Sequence, residues 1–131
     1  MHEIADSVKD KTQMVILEKL SNLVVKISFK PDIHYKVLDL RLLPFILKIS
    51  GDNYSNIIRS NAMLAISLLT YNDKLFEQII DIGMIDLIMG VCKGKQGIVY
   101  DVTFTQFSTL ALVHFALNKR SIGILIKKGV L

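Results

Sequence analysis

Apolar residues recur along this chain at the spacing of three to four residues that helices require, and short polar or glycine-containing breaks separate the runs. The first long helix is predicted over residues 12–29. It ends before Pro31, because proline disfavours helical geometry in the residue that precedes it. Two more long helices are predicted over residues 56–71 and 102–117, so three elements of similar length punctuate the chain.

Shorter apolar helices are predicted between and after the long ones, over residues 32–39, 40–50, 74–82, 84–93 and 120–128. Asn72 or Asp73 is expected to cap the helix 74–82, because a short polar side chain accepts hydrogen bonds from the free N–H groups of a first turn. Gly83 is expected to end that helix in a left-handed turn. The elements therefore predict an all-α fold.

Two segments repeat the same order of elements. Asn72 and Gly83 correspond to Asn118 and Gly129, and both pairs are separated by 46 residues. Self-similarity with a period of about 40–47 residues is typical of stacked helical repeats. We therefore expect a single helical domain over residues 1–131, which is a solenoid of about two full repeats with a partial repeat at each end.

The best-preserved unit has a recognisable pattern. It reads Asn61-Ala62-x-x-Ala65-Ile66-x-x-Leu69 and then Ile79-Ile80-x-x-Gly83-Met84-Ile85-x-Leu87-Ile88. This pattern resembles the armadillo repeat. The match is fair over residues 110–131 and weaker over 20–50, where the family's glycine falls near Leu40 or Arg41 and is absent. HEAT repeats, with two helices per unit, are the alternative.

The resemblance implies a right-handed α–α superhelix with three helices per repeat. Residues 12–30 would be the third helix of a partial repeat, 31–71 and 72–118 would be repeats, and 119–131 would start a truncated one. In such proteins the third helices line a concave groove that binds a protein or an extended peptide.

The groove candidates that this resemblance implies lie on the three long helices. They are Asn22, Lys26, Arg59, Ser60, Met63, Ser67, Gln106 and Thr109, with Val113 as a further candidate. Amide and guanidinium groups would bind the backbone of an extended peptide, and the cations would attract acidic partners. Nuclear transport receptors of this family carry a tryptophan and an asparagine four residues apart on each third helix. Here Leu64 and Leu68, then Leu110 and His114, stand at those positions, which argues against binding of nuclear localisation signals.

Composition narrows the class of protein further. The net charge is +4, but basic residues alternate with acidic ones, so we expect no nucleic-acid partner. The mean hydropathy is +0.43 and half of the residues are apolar, as stacked helices with two buried sides require. No apolar run approaches the roughly 18 residues of a membrane span, and no signal peptide is visible. A cytoplasmic location is expected, with the nucleus as an alternative.

The residues that carry chemistry are scattered. Of the three histidines, His114 is expected to be hydrogen-bonded or to line the groove, and His34 to lie on the exposed side of a short helix. Cys92 is the single cysteine and is expected to be buried and structural, although the neighbouring Lys93 could lower its pKa. We find no catalytic set, metal cluster or cofactor motif, which predicts a non-enzymatic protein without a cofactor.

Two functions fit this description. The first is an armadillo-type scaffold or adaptor that binds a protein along its groove. The alternative is an assembly or chaperone-like element, which docks through the solenoid ends within a larger complex such as a cytoskeletal or ciliary one. The excess of apolar residues motivates the alternative, and it would allow self-association through exposed ends.

Overall fold

A computed structural model describes residues 2–51, 53–94 and 101–127, and within these ranges the chain is helical and contains no β-strand. The helices in chain order are α1 (His2–Ser28), α2 (Tyr35–Asp39), α3 (Leu42–Ile49), α4 (Asn56–Leu69), α5 (Asp73–Asp81), α6 (Met84–Lys93), α7 (Val102–Leu117) and α8 (Lys119–Lys127). A 3₁₀ turn, Pro31–Ile33, precedes α2. None of the described helices is long and apolar enough to cross a membrane.

The predicted helices are all present, and their boundaries differ most at the N-terminal end. Helices α6 and α7 have the predicted limits. Helix α1 begins ten residues earlier than predicted. Residues 2–11 include several good helix formers but lack a clear apolar spacing, so periodicity alone missed them. The predicted helix 32–39 is divided in two, because Pro31 begins a 3₁₀ turn that ends before α2.

Polar caps begin three of the helices, and the sequence predicted the one at the start of α5. The Ser55 hydroxyl oxygen accepts from the Ile58 N–H at 3.3 Å at the start of α4. The Asn72 side chain accepts from two N–H groups at the start of α5, which decides between Asn72 and Asp73. The Asp101 carboxylate accepts from the Phe104 N–H at 3.1 Å. Each cap satisfies donors that the first turn of a helix leaves free.

Two left-handed turns begin the medium-length helices. Gly83 has φ 87° before α6, as predicted. Arg41 has φ 52° before α3, at the place where the repeat pattern called for a glycine that the sequence lacks. The same backbone conformation is therefore present at both positions, although only one carries the residue that adopts it without strain. Gly129, the counterpart of Gly83 in the second repeat, lies outside the described residues.

Helix α4 is the centre of the fold, because it packs against α1 on one side and α7 on the other. Helix α3 packs on α4, and α6 packs on α7. The largest fully buried side chains come from α3 to α7: Phe76, Phe104, Phe115, Ile46, Ile49, Ile58, Met63, Ile66, Leu69, Leu75, Ile79 and Met84. The rings of Phe76 and Phe115 meet at 5.3 Å between centroids, which joins α5 to α7.

The same face of α4 and α7 is buried. Ile58, Ala62, Ala65 and Leu69 of α4 have counterparts 46 residues later in α7, which are Phe104, Ser108, Ala111 and Phe115, and all eight are buried. The spacing of four, three and four residues places each set on one side of its helix. The two long helices thus bury equivalent faces.

Candidate functional site

The eight predicted groove residues divide into two groups. Asn22, Lys26, Gln106 and Thr109 are exposed. Arg59, Ser60, Met63 and Ser67, all on α4, are buried. The expectation that Arg59, Met63 and Ser67 face a partner is therefore wrong, whereas Ser60 lines a depression of about 280 Å³ between α4 and α7. Helix α4 has a long helix on each side, so less of its surface is exposed than on a long helix at the end of the stack.

The buried group faces α7. The Ser60 hydroxyl lies 3.5 Å from the Asp101 carboxylate that caps α7, and the Ser67 carbonyl is bonded by a side chain of α7. The equivalent face of α7 carries Gln106, Thr109 and Val113, and it is exposed. Small side chains such as serine allow two helices to approach closely, and this was the available signal that the α4 face is an interface.

Arg59 joins three helices from within the core. Its Nε donates to the Ser50 carbonyl at the end of α3, at 3.2 Å, and its guanidinium carbon lies 4.2 Å from the centre of the Phe104 ring of α7. Only 7% of its surface is exposed. A guanidinium that donates to a carbonyl and stacks on an aromatic face satisfies the two conditions under which a buried cation is tolerated. Arg59 is therefore a structural residue.

His114 links α7 to the end of α4, as its predicted hydrogen bonding required. Its Nδ1 lies 2.7 Å from the Ser67 carbonyl oxygen and 3.1 Å from the Thr70 hydroxyl. A carbonyl only accepts, so Nδ1 carries the proton. Nε2 is then the acceptor for the Tyr71 hydroxyl at 2.8 Å. The ring is thus fixed in one tautomer by partners on both sides.

His34 is buried, with 4% of its surface exposed, and the prediction of an exposed position is wrong. Its Nε2 donates to the Ser28 carbonyl at the end of α1, at 2.8 Å. Its Nδ1 accepts from the Asn72 amide at 3.4 Å, while the Asn72 oxygen caps α5. The histidine therefore bridges the end of one helix to the start of another, and these long-range partners hold it inside.

Asn61 makes the polar connection between α1 and α4. Its amide nitrogen donates to the Ser21 hydroxyl and to the Asn22 side-chain oxygen, both at 3.0 Å. Ser21 is buried and also donates to the Glu18 carbonyl at 2.7 Å. Asn22 is thus exposed, but its side-chain oxygen already accepts a hydrogen bond from Asn61. A partner would have to bind its other polar atoms.

Two small depressions lie at the two ends of the seam between α4 and α7. The first, of about 280 Å³, is lined by Ile57, Asn61, Asp101, Thr103 and others at the helix starts. The second, of about 220 Å³, is lined by residues at the helix ends: Thr70, Tyr71, His114, Leu117 and Asn118. Amide, hydroxyl and ring groups line both. The exposed seam between them is the surface at which an extended chain could contact both helices.

A larger groove of about 550 Å³ lies between α1 and the α3 region. Its walls are mostly apolar and include Met14, Leu17, Phe45 and Ile49. Sequence reasoning did not identify this groove, because its two walls are about 30 residues apart and belong to elements with no shared motif.

Cys92 is half-buried, with its Sγ 3.9 Å from the Thr109 hydroxyl. Burial raises the pKa of this thiol, and the contact with Thr109 opposes the shift only in part. The lowering by Lys93 that the sequence left open is therefore not the net effect. The described residues contain no group of three metal-ligating side chains.

Comparison of the chain with protein-family models, with curated proteins and with solved structures finds no match.

Proposed function

We propose that this chain is a protein-binding module built as an armadillo-like solenoid. The observation that carries the proposal is an order of elements that occurs twice in the chain. In residues 31–69 and again in 73–117, a short helix leads to a left-handed turn, a medium helix and a long helix. Stacking of such units produces an extended surface that suits binding of proteins.

The surface we assign to the partner is the seam between α4 and α7, with its two depressions. Ile57 and Leu117 are more than half exposed at opposite ends of the seam, and Asn61, Thr103 and Asn118 supply amide and hydroxyl groups between or beside them. An extended peptide needs such groups for its backbone and apolar recesses for alternate side chains.

A peptide selection tests this proposal. The full chain is used to select extended peptides from a random library, and the binders are titrated against variants by fluorescence anisotropy. Ile57→Glu and Leu117→Glu place a charge at each end of the seam without disturbing the core. We expect each to weaken the selected peptides about tenfold or more.

Tyr35→Glu is the matched control, because Tyr35 is an exposed ring on α2, away from the seam. It should leave the affinity unchanged. Selected peptides that bind both seam variants as tightly as the parent chain would rule out this surface as the binding site.

A second candidate is an assembly element that docks through the ends of the helical stack. It is favoured by exposed apolar side chains on α1 and on α7, where Val113 and Leu117 lie one turn apart. Light scattering across a concentration series separates the two candidates. Growth of the particle with concentration, removed by Val113→Glu and Leu117→Glu together, favours the assembly role.

A further inference from the structure

Helix α1 carries an apolar stripe that nothing in the described chain covers. Ile16, Leu20 and Leu23 expose 51%, 41% and 52% of their surfaces. Their spacing of four and three residues places them in one line along the helix. The line is about 10 Å long, which is two helical turns. Three large apolar side chains in a row form a patch, unlike the scattered apolar residues of ordinary surfaces.

Helix α4 indicates what such a face is suited to bind. Ser21, Val24 and Ser28 of α1 are buried, as are their counterparts 39 residues later, Ser60, Met63 and Ser67. In this register Leu23 corresponds to Ala62, which is buried on α4, and α3 packs against α4 as a short apolar helix. Leu20 and Leu23 of the stripe therefore stand where α4 has two buried residues, Arg59 and Ala62, and Arg59 contacts the end of the short helix α3.

The groove beside the stripe extends this surface. Ile16 belongs to both, and Phe45, Ile49 and Tyr54 form the opposite wall. The volume of about 550 Å³ holds several apolar side chains. The surface thus consists of a groove on one side and an open apolar stripe on the other. This shape fits the rounded surface of a helix better than it fits a flat strand.

Among the residues whose side chains the structure describes, the charges nearest this surface belong to lysines. Lys48 lines the groove, and no carboxylate does so among the described lining residues. Lys19 and Lys26, both exposed, lie on α1 beside the stripe, since they are separated from its residues by three or four positions. Glu18 points to the other side of the helix by its position in the turn. An apolar strip with lysines on both flanks favours a partner with the opposite charge.

We propose that this surface binds an amphipathic helix of another protein, whose apolar stripe is flanked by acidic residues. The proposal rests on the protein-binding function above and adds a partner of stated chemistry at a different place on the molecule. Helix α5 of a second copy does not supply this partner helix. The acidic helix α5 buries its apolar side chains, Leu75, Phe76 and Ile79, in its own core.

Two synthetic peptides of about 16 residues test the proposal against the full chain. Both carry the same leucine stripe, and one has glutamates and the other lysines on its flanks. Fluorescence anisotropy should show the glutamate peptide binding about tenfold or more tightly than the lysine peptide. The difference should shrink at about 0.5 M salt, because exposed charges are then screened. A peptide of the same composition without amphipathic order should not bind.

Chain variants locate the site. Ile16→Glu with Leu23→Glu should weaken the glutamate peptide about tenfold or more. Lys19→Glu with Lys48→Glu should reverse the preference between the two peptides. The matched control, Val102→Glu with Val113→Glu, inserts the same charges at two exposed positions of α7 that line neither depression and should have no effect. Thermal melting followed by circular dichroism checks that every variant is folded.

Equal affinity for the two peptides would overturn the proposal, as would a loss of binding in the α7 control alone. A concentration-dependent dimer that disappears with Ile16→Glu and Leu23→Glu would assign the surface to a second copy instead, and it too would overturn the proposal. The library-selected peptides at the α4–α7 seam report separately on the proposed function, since none of the α1 substitutions touches that seam.

Discussion

Replacement of Arg59 by alanine is expected to destabilise the fold strongly, although a charged residue on a long helix would ordinarily be taken for a surface residue. The side chain is buried, donates to the Ser50 carbonyl and stacks on the ring of Phe104. Alanine would remove both contacts and leave a space between α3, α4 and α7. The Ser50 carbonyl would also lose a donor inside the protein, and an unsatisfied buried acceptor is costly.

The magnitude follows from these contacts. A hydrogen bond from a charged donor is worth about 1.5–3 kcal/mol, and a desolvated cation over a ring about 2 kcal/mol. Because one guanidinium makes both, the two values do not add in full. We expect Arg59→Ala to lower the free energy of unfolding by about 3 kcal/mol. For a chain of this length that corresponds to a decrease in Tm of about 10 °C.

The assay is urea unfolding followed by circular dichroism, with thermal melting as a second measure. Arg59→Lys should lose less than alanine, because the ammonium keeps the charge but has no planar face to stack on the ring. A double-mutant cycle with Phe104→Leu should give a coupling of about 1 kcal/mol. Lys26→Ala, an exposed lysine on α1, is the matched control and should change stability by less than about 0.5 kcal/mol.

A loss in Arg59→Ala as small as that in Lys26→Ala would refute the assignment of Arg59 to the core. A large loss with no coupling to Phe104 would refute the stacking while leaving the hydrogen bond in place.

Four further outcomes follow from the backbone, the caps and the thiol. Gly83→Ala should lower the free energy of unfolding in urea by about 1 kcal/mol. The cost comes from the φ of 87° alone, because a Cβ at this position meets no atom within 4 Å. Gly90→Ala within α6 should not destabilise the protein. Arg41→Gly should stabilise by about 0.5 kcal/mol by relieving the left-handed backbone, and a loss would contradict this. Asn72→Ala should cost about 2 kcal/mol, because it removes a cap and a partner of a buried histidine. Alkylation of Cys92 at pH 8 should be slower than that of a free cysteine, since its raised pKa keeps the thiol protonated, and unfolding in urea should abolish the difference.

Helix positions and caps could be predicted from the sequence because their causes are local. Apolar spacing located α4, α6 and α7, and short polar residues marked where helices begin. Asn72 and Gly83 act on atoms within four residues of themselves, so each interaction lies within a short stretch of sequence. The left-handed turn at Arg41 could be placed only by analogy with Gly83, since an arginine gives no local reason for a positive φ.

The faces of the long helices could not be predicted in the same way. Four of the eight proposed groove residues lie on α4 and are buried, because α4 has a helix on both sides and α1 and α7 do not. Burial of Arg59 depends on Ser50 and Phe104, which are 9 and 45 residues away. A charge reversal at Arg59 would therefore disturb the core and could not test groove binding.

Three side chains are held in place by the same kind of contact, which the sequence did not reveal. His34, Arg59 and His114 each donate an N–H to the carbonyl of a buried serine at or near the end of a helix, which is Ser28 in α1, Ser50 after α3 and Ser67 in α4. The last carbonyls of a helix have no partner in its own ladder, and they carry the negative end of its dipole.

Each of these serines turns its hydroxyl back to a carbonyl three or four residues earlier, so the hydroxyl does not compete for the incoming donor. The donors lie 6, 9 and 47 residues downstream of their serines, a range that no sequence period captures. In a helix-rich chain, a histidine or arginine can therefore cap the C-terminal end of another helix. Whether such a side chain is buried depends on the helix-end carbonyls in the core that need a donor, rather than on the polarity of its neighbours in sequence.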